Sequence, residues 1–137
     1  MKVHTTNYTN AFIMVADDCP AVTAEVPPIK GTTKTAANLQ FEQIIENPYK
    51  FTSDDVLFRV YAHKNELRKA DLEEARTVFF SKGQPCMRAS PLTKRYGWGV
   101  HADKDGKIAL YARETPEYKQ FSEDKKLEVV KAMKSAR

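Results

Sequence analysis

The sequence is sparing with cysteine and glycine and has no long apolar run, and each shortage excludes something. Cys19 and Cys86 are the only two cysteines among 137 residues. They lie far apart and form no CxxC pair, so neither a zinc site nor a redox motif is indicated, and in a reducing compartment both are expected as free thiols. No apolar stretch approaches the roughly 20 residues needed to cross a bilayer. The run AFIMVA near the start is too short for a signal-peptide core and meets Asp17 and Asp18 at once, so a cytoplasmic protein with no membrane association is expected. Without a secretory signal, Asn7-Tyr8-Thr9 reads as an ordinary strand or loop entry despite its glycosylation pattern. Acids are missing altogether between Ala75 and Ala102, a stretch carrying Arg76, Lys82, Arg88, Lys94 and Arg95, so the local field is positive.

Several chemical signatures are also missing. Gly97-Trp98-Gly99 lacks the third glycine of a dinucleotide fingerprint, and there is neither a GxxxxGK[ST] loop nor an HExxH pair. Asp103-Lys104-Asp105-Gly106 resembles the middle of a calcium loop, but Ala112 stands where the bidentate glutamate belongs. Neither a metal nor a cofactor is expected.

What is present fits one soluble domain over residues 1–137, ending in a basic tail from about 131. The chain is 42% hydrophobic and 29% charged, ordinary for a globular protein, and long enough to bury a core without a metal or disulfide. A net charge of +4 with a pI near 9.0 permits an anionic partner without demanding one.

Asn10 to Ala16 reads as a short buried strand stopped by a turn. Pro27-Pro28 and Gly31 favour extended backbone across the surface. Ala37, Phe41, Ile44 and Ile45 fall on one face of an amphipathic helix ended by Pro48. Thr52-Ser53-Asp54-Asp55 can start a turn or a helix. The β-branched and aromatic residues from Val56 to His63 then suggest a strand, although so short an apolar run also fits a helix. Glu66 to Ser81 reads as a helix with Leu72, Ala75 and Phe79 inward, closed by a Lys82-Gly83 cap. Two strands are expected around a type I′ turn at Asp105-Gly106, then a short helix from Thr115-Pro116. Residues 125–134 fit either strand or helix, with strand favoured.

The chemistry that survives lies between Ser81 and Ala102, which holds the only tryptophan and three of the five glycines. Arg88, Lys94, Arg95, Tyr96 and Trp98 combine guanidinium forks, a point charge and flat rings, the parts that recognise phosphate or carboxylate and stack on a base. Against this stands packing: the rings can belong to the core and the cations to the solvated surface. Cys86 could be held as a thiolate by the positive field with His101 as its base, but cysteine is more often buried and inert.

The block KGQPCMRASPLTKRYGWGVH, from Lys82 to His101, resembles the signature of a small bacterial family of unknown function. HTTNYTNAFI, KTAANLQ, NPYKFTSDDVLF and VVKAM are similar to other blocks of that family. The resemblance implies a stand-alone cytoplasmic domain and carries no activity, cofactor or catalytic residue.

The expected fold is α+β: an antiparallel sheet of about four to six strands, from Asn10–Ala16, Val56–His63, the stretch around Met87–Ser90 and the hairpin, with two main helices on one face. The expected function is a binding module whose Arg88–Trp98 surface takes an anionic small molecule or nucleic acid. The alternatives are an enzyme acting on an anionic substrate through Cys86 or His101, and an interaction protein without chemistry.

Overall fold

The structure, a computed structural model, describes residues 3–135. Four strands, β1 (Ala11–Met14), β2 (Trp98–Ala102), β3 (Ile108–Ala112) and β4 (Glu128–Lys131), form one sheet in the order β3-β2-β1-β4. The helices are α1 (Ala36–Glu46), α2 (Ser53–Lys64), α3 (Leu72–Phe79), α4 (Pro91–Lys94) and α5 (Pro116–Ser122). The α+β class and a sheet of at least four strands are as the sequence led us to expect.

The sheet is mixed, not wholly antiparallel. β1 pairs antiparallel with β2, placing Phe12 opposite His101, and parallel with β4, placing Phe12 opposite Val129. β2 and β3 form the expected hairpin. These directions make β3 and β4 parallel, so the chain between them must cross the sheet, and α5 is that crossover. Its rings cover the second face. Side chains of opposite parity along β1 therefore feed two cores. Ile13 joins Val100, Leu110, Ile44, Val56, Met87 and Leu92 on one side, while Phe12 packs with Tyr118 and Phe121 on the other.

The segment Val56 to His63 is helix, a correction to the strand reading. Thr52 caps α2 by accepting from the Asp55 N–H while the Asp55 carboxylate accepts from the Thr52 N–H, a reciprocal pair that commits the chain to helix. The misleading composition has a cause: α2 lies between α1 and α3, so it buries Val56 and Val60 together with Phe58 and shows no single apolar stripe. It is α2, through Val56, that joins α1 over the sheet. The helix expected from Glu66 begins later, because Glu66 has φ +51° and ends α2. There Leu67 N–H donates to Ala62 C=O at 3.0 Å and Glu66 N–H to His63 C=O at 3.2 Å, a Schellman termination.

Further corrections are local. Met87–Ala89 is a 3₁₀ turn, not a strand. α3 stops at Phe79, and the Gln84 side-chain amide and the Ser81 hydroxyl donate to the Phe79 and Val78 carbonyls, so Gly83 is not its left-handed cap. The hairpin turn is not type I′: Gly106 has φ +78° and Asp105 is not among the positive-φ residues. Gly106 N–H donates to Asp103 C=O, and the Asp103 carboxylate accepts from the Asp105 and Lys107 N–H groups, the pattern of a type I turn followed by a glycine bulge. Within 125–134, Glu128–Lys131 is strand, as favoured, and the flanking residues are turn or irregular. The tail from 131 is docked at first, with Ala132 buried and Met133 N–H bonded to Arg88 C=O; its last residues, past 135, lie outside the described residues.

The opening HTTN block is held by one carboxylate. Asp54, 7% exposed at the start of α2, accepts from Thr5 Oγ1, Thr6 N and Thr6 Oγ1, each at 2.7 Å. Removing that acceptor leaves the buried Thr6 N–H unpaired and the Thr6 hydroxyl with Ser53 Oγ alone, at 2.9 Å. Asp54→Ala is expected to lower unfolding free energy by about 3 kcal/mol, and Asp54→Asn, which keeps one acceptor oxygen, by less. Urea denaturation of the three proteins measures both.

Candidate functional site

The structure gives most of the Ser81–Ala102 segment a packing role. Trp98 is half-buried: its ring lies 5.2 Å from Phe41, and its indole N–H donates to the Glu25 carbonyl at 2.8 Å. Glu25 N–H donates to Tyr96 C=O at 2.8 Å, and Arg113 reaches the Ala21 carbonyl at 2.7 Å. Together these groups clamp the extended 21–28 segment onto the sheet. The clamp explains Gly97, and the aromatic core on the other face explains Gly99. Gly97 has φ +80°, and a Cβ there would lie 3.1 Å from the Ala24 Cα; a Cβ on Gly99 would lie 2.6 Å from the rings of Phe12 and Tyr118. The close approach is made by the chain itself.

The basic residues of the segment disperse. Arg88 Nε donates to the Lys131 carbonyl at 2.7 Å, tying the 3₁₀ turn to β4. Lys94 ends α4 and Arg95 follows it, exposed. None of Arg88, Lys94, Arg95, Tyr96 and Trp98 lines either of the two cavities described below.

Cys86 and His101 are not brought together. Cys86 lies in the helical layer, beside Tyr8, whose hydroxyl is pushed up by burial and then by the neighbouring Cys86, with Arg88 opposing. His101 projects from the other face of the sheet, stacked 4.2 Å from Phe121. Its Nδ1 meets the Tyr49 hydroxyl at 2.8 Å, which also meets the Tyr111 hydroxyl at 2.7 Å. Burial lowers the His101 pKa, with the Asp103 and Asp124 carboxylates opposing, and burial followed by Tyr111 raises that of Tyr49. Tyr49 has φ +60° in the third position of a turn whose second residue is Pro48, closed by Lys50 N–H to Asn47 C=O. That position favours glycine, and the strain of a tyrosine there is offset by its two hydroxyl contacts.

The larger concavity is elsewhere, an open cleft of about 790 Å³ between α1, α2 and α3. Leu39, Phe51, Phe58, Leu67 and Leu72 give it an apolar lining, and Lys50, Arg59 and Arg76 bring cationic groups and His63 an imidazole, with Asp55 and Glu73 among them. The Arg59 guanidinium lies over the Phe51 ring at 4.8 Å while its Nε donates to Gln43 Oε1 at 2.9 Å, and Lys50 Nζ lies 5.4 Å from the same ring. Arg76 pairs with Asp55 at 2.9 Å and lies over Phe58 and Phe80. Burial alone would raise the Asp55 carboxyl; the Thr52 N–H and hydroxyl and the Arg76 guanidinium outweigh it and hold the group below its usual range.

The sequence reading missed this cleft because a strand over Val56–His63 would put Phe58 and Arg59 on opposite faces. The overlooked signal is the Thr52-x-x-Asp55 pair: once it starts a helix, Asp55, Arg59 and Ala62 share a face. Among the described residues no group of three or more His, Cys, Asp or Glu side chains is placed to hold a metal. No helix there is long and apolar enough to cross a membrane.

A family model described as "Family of unknown function" (DUF6157) matches residues 3–137. No curated protein and no solved structure matches the chain.

Gly99→Ala is expected to cost about 1–3 kcal/mol through overpacking against Phe12 and Tyr118. Gly83→Ala, where a Cβ meets nothing within 4 Å, should stay within about 0.5 kcal/mol of wild type; thermal melts compare them. Because Asp55 is depressed in the fold, its contribution is present above its unfolded pKa and is lost as pH falls through the lower folded value. Asp55→Asn should therefore flatten the acid limb of stability against pH, measured by urea midpoints from neutral pH downward.

Proposed function

Taking as premise that the chain belongs to DUF6157, a family of unknown function, we propose that it is a binding module for a small amphiphilic anion. Its apolar body occupies the cleft between α1, α2 and α3, and its carboxylate or phosphate lies at Arg59 and Lys50. One observation carries the reading: the larger concavity sets two cations around a single ring, Phe51, above an apolar lining. Apolar walls with a few converging polar groups are the usual composition of a ligand site. Arg76 is committed to Asp55, which leaves Arg59 and Lys50 as the better anion donors.

The reading keeps the anionic small molecule inferred from composition and moves its site away from Arg88–Trp98, where rings and arginine already hold the chain's own carbonyls. A long nucleic acid is disfavoured by the acids Asp55 and Glu73 inside the cleft, since a polyanion gains by an unbroken basic track. An enzyme relying on a Cys86–His101 pair finds no support in groups on opposite faces of the sheet.

Octanoate and 1-octanol share a chain and differ in charge, and titration of each, followed by amide shifts of α2, tests the proposal. Octanoate should bind at least about tenfold more tightly, with Arg59→Gln reducing the difference by about tenfold, equivalent to about 1.4 kcal/mol. Equal binding, binding unaltered by Arg59→Gln, or a single-stranded oligonucleotide that binds in preference to octanoate overturns it.

A further inference from the structure

Arg59, in the cleft between α1, α2 and α3, is held by two of its neighbours. Its guanidinium lies over the Phe51 ring at 4.8 Å, and its Nε donates to Gln43 Oε1 at 2.9 Å. Gln43 lines the same cleft from α1. Its amide cannot be turned around, because Nε2 donates to the Leu39 carbonyl at 3.1 Å, and the reverse orientation would set oxygen against oxygen and N–H against N–H. Arg59 itself is exposed, and among the described residues Nη1 and Nη2 make no hydrogen bond or ion pair. An arginine grips an oxyanion with two parallel N–H groups, either side-on through Nε and one Nη or end-on through both Nη atoms. With Nε taken by Gln43, the end-on fork is the one left open.

The charges around that fork limit what it can hold. Lys50, Arg59 and Arg76 are the cations of the lining and Asp55 and Glu73 its carboxylates, so with His63 counted as neutral one positive charge is left over. One negative charge on a ligand balances that surplus. A second would be repelled by Asp55 and Glu73 without a cation to offset it. We propose that the cleft selects a singly charged carboxylate on an apolar body, gripped end-on by Nη1 and Nη2 of Arg59, and that Gln43 is the positioning residue that imposes this grip. The inference rests on the anion reading of the same cleft and narrows it, setting phosphate monoesters aside. A carboxylate is planar and matches the planar fork, whereas a phosphate monoester carries about 1.5 to 2 negative charges at neutral pH. The smaller concavity, an open apolar groove of about 350 Å³ between α1, α2 and the 84–91 segment, has nothing that names an occupant.

Octanoate, octyl phosphate and 1-octanol, titrated into the wild-type chain and into Gln43→Met, test this. Gln43→Met keeps the side-chain length and removes the acceptor. Wild type should bind octanoate at least about fivefold more tightly than octyl phosphate. Gln43→Met should weaken octanoate at least about threefold and leave 1-octanol unchanged, a split that a merely structural role would not give. In wild-type NMR spectra at mildly acidic pH, octanoate should move the Arg59 Nη resonances more than the Nε–H resonance, a measurement that stands even if Gln43→Met fails to fold. Octyl phosphate binding as tightly as octanoate, octanoate affinity untouched by Gln43→Met, equal losses of octanoate and 1-octanol in that variant, or an Nε–H that moves most overturns this inference. Each of those results leaves intact the preference of wild type for octanoate over 1-octanol, and with it the anion reading. Loss of that preference overturns both.

Discussion

Burial of β1 on both faces sets the architecture, because four residues must satisfy two different cores at once. Ala11 and Phe12 are fully buried and Ile13 nearly so. A strand of that kind is stable only if a layer covers each side, and the chain supplies a thick helical layer over Ile13 and a thin aromatic one over Phe12. The thin side leaves little tolerance. Phe12 meets Tyr118 edge-on at 5.1 Å and Phe121 in a stack at 5.3 Å, and the Tyr118 hydroxyl accepts the Val15 N–H at 2.9 Å. Gly99 on the neighbouring strand is the vacancy that lets these rings approach.

Around that double core, loops are fixed by side chains bonding to backbone. Asn38 Nδ2 donates to the Pro27 carbonyl, Trp98 to Glu25, Arg113 to Ala21 and Arg88 to Lys131. The first three donors satisfy carbonyls in the 21–28 segment, which has no regular pairing, as buried or half-buried irregular backbone requires, and Arg88 satisfies one at the end of β4. Arg88 and Trp98, which look chemically rich in sequence, are thereby occupied.

Legibility in the sequence followed how local each signal was. β1, α1, the hairpin and α5 were readable because a short apolar run stopped by a turn, a 3.6-residue period, a glycine turn and a Thr-Pro start each act within a few residues. α2 was not, since packing on two sides removed the stripe that marks a helix, and Glu66 in a left-handed cap moved the start of α3. The Arg88–Trp98 cluster stood out by composition, but whether a tryptophan N–H faces a ligand or a carbonyl depends on where Glu25 passes, about seventy residues away in the chain.

The crossover through α5 also dictates an order of assembly. Ala11 pairs with Ala102 on one side and with Glu128 on the other, so β1, the most deeply buried strand, is synthesised well before either of its sheet partners. At a synthesis rate of about 5–20 residues per second, its apolar edge waits several seconds or longer for β2. Closing loops of that length is entropically slow. The nascent chain therefore carries its future centre as an unpaired sticky strand, and the time between making β1 and enclosing it is the interval in which association with other chains competes with folding.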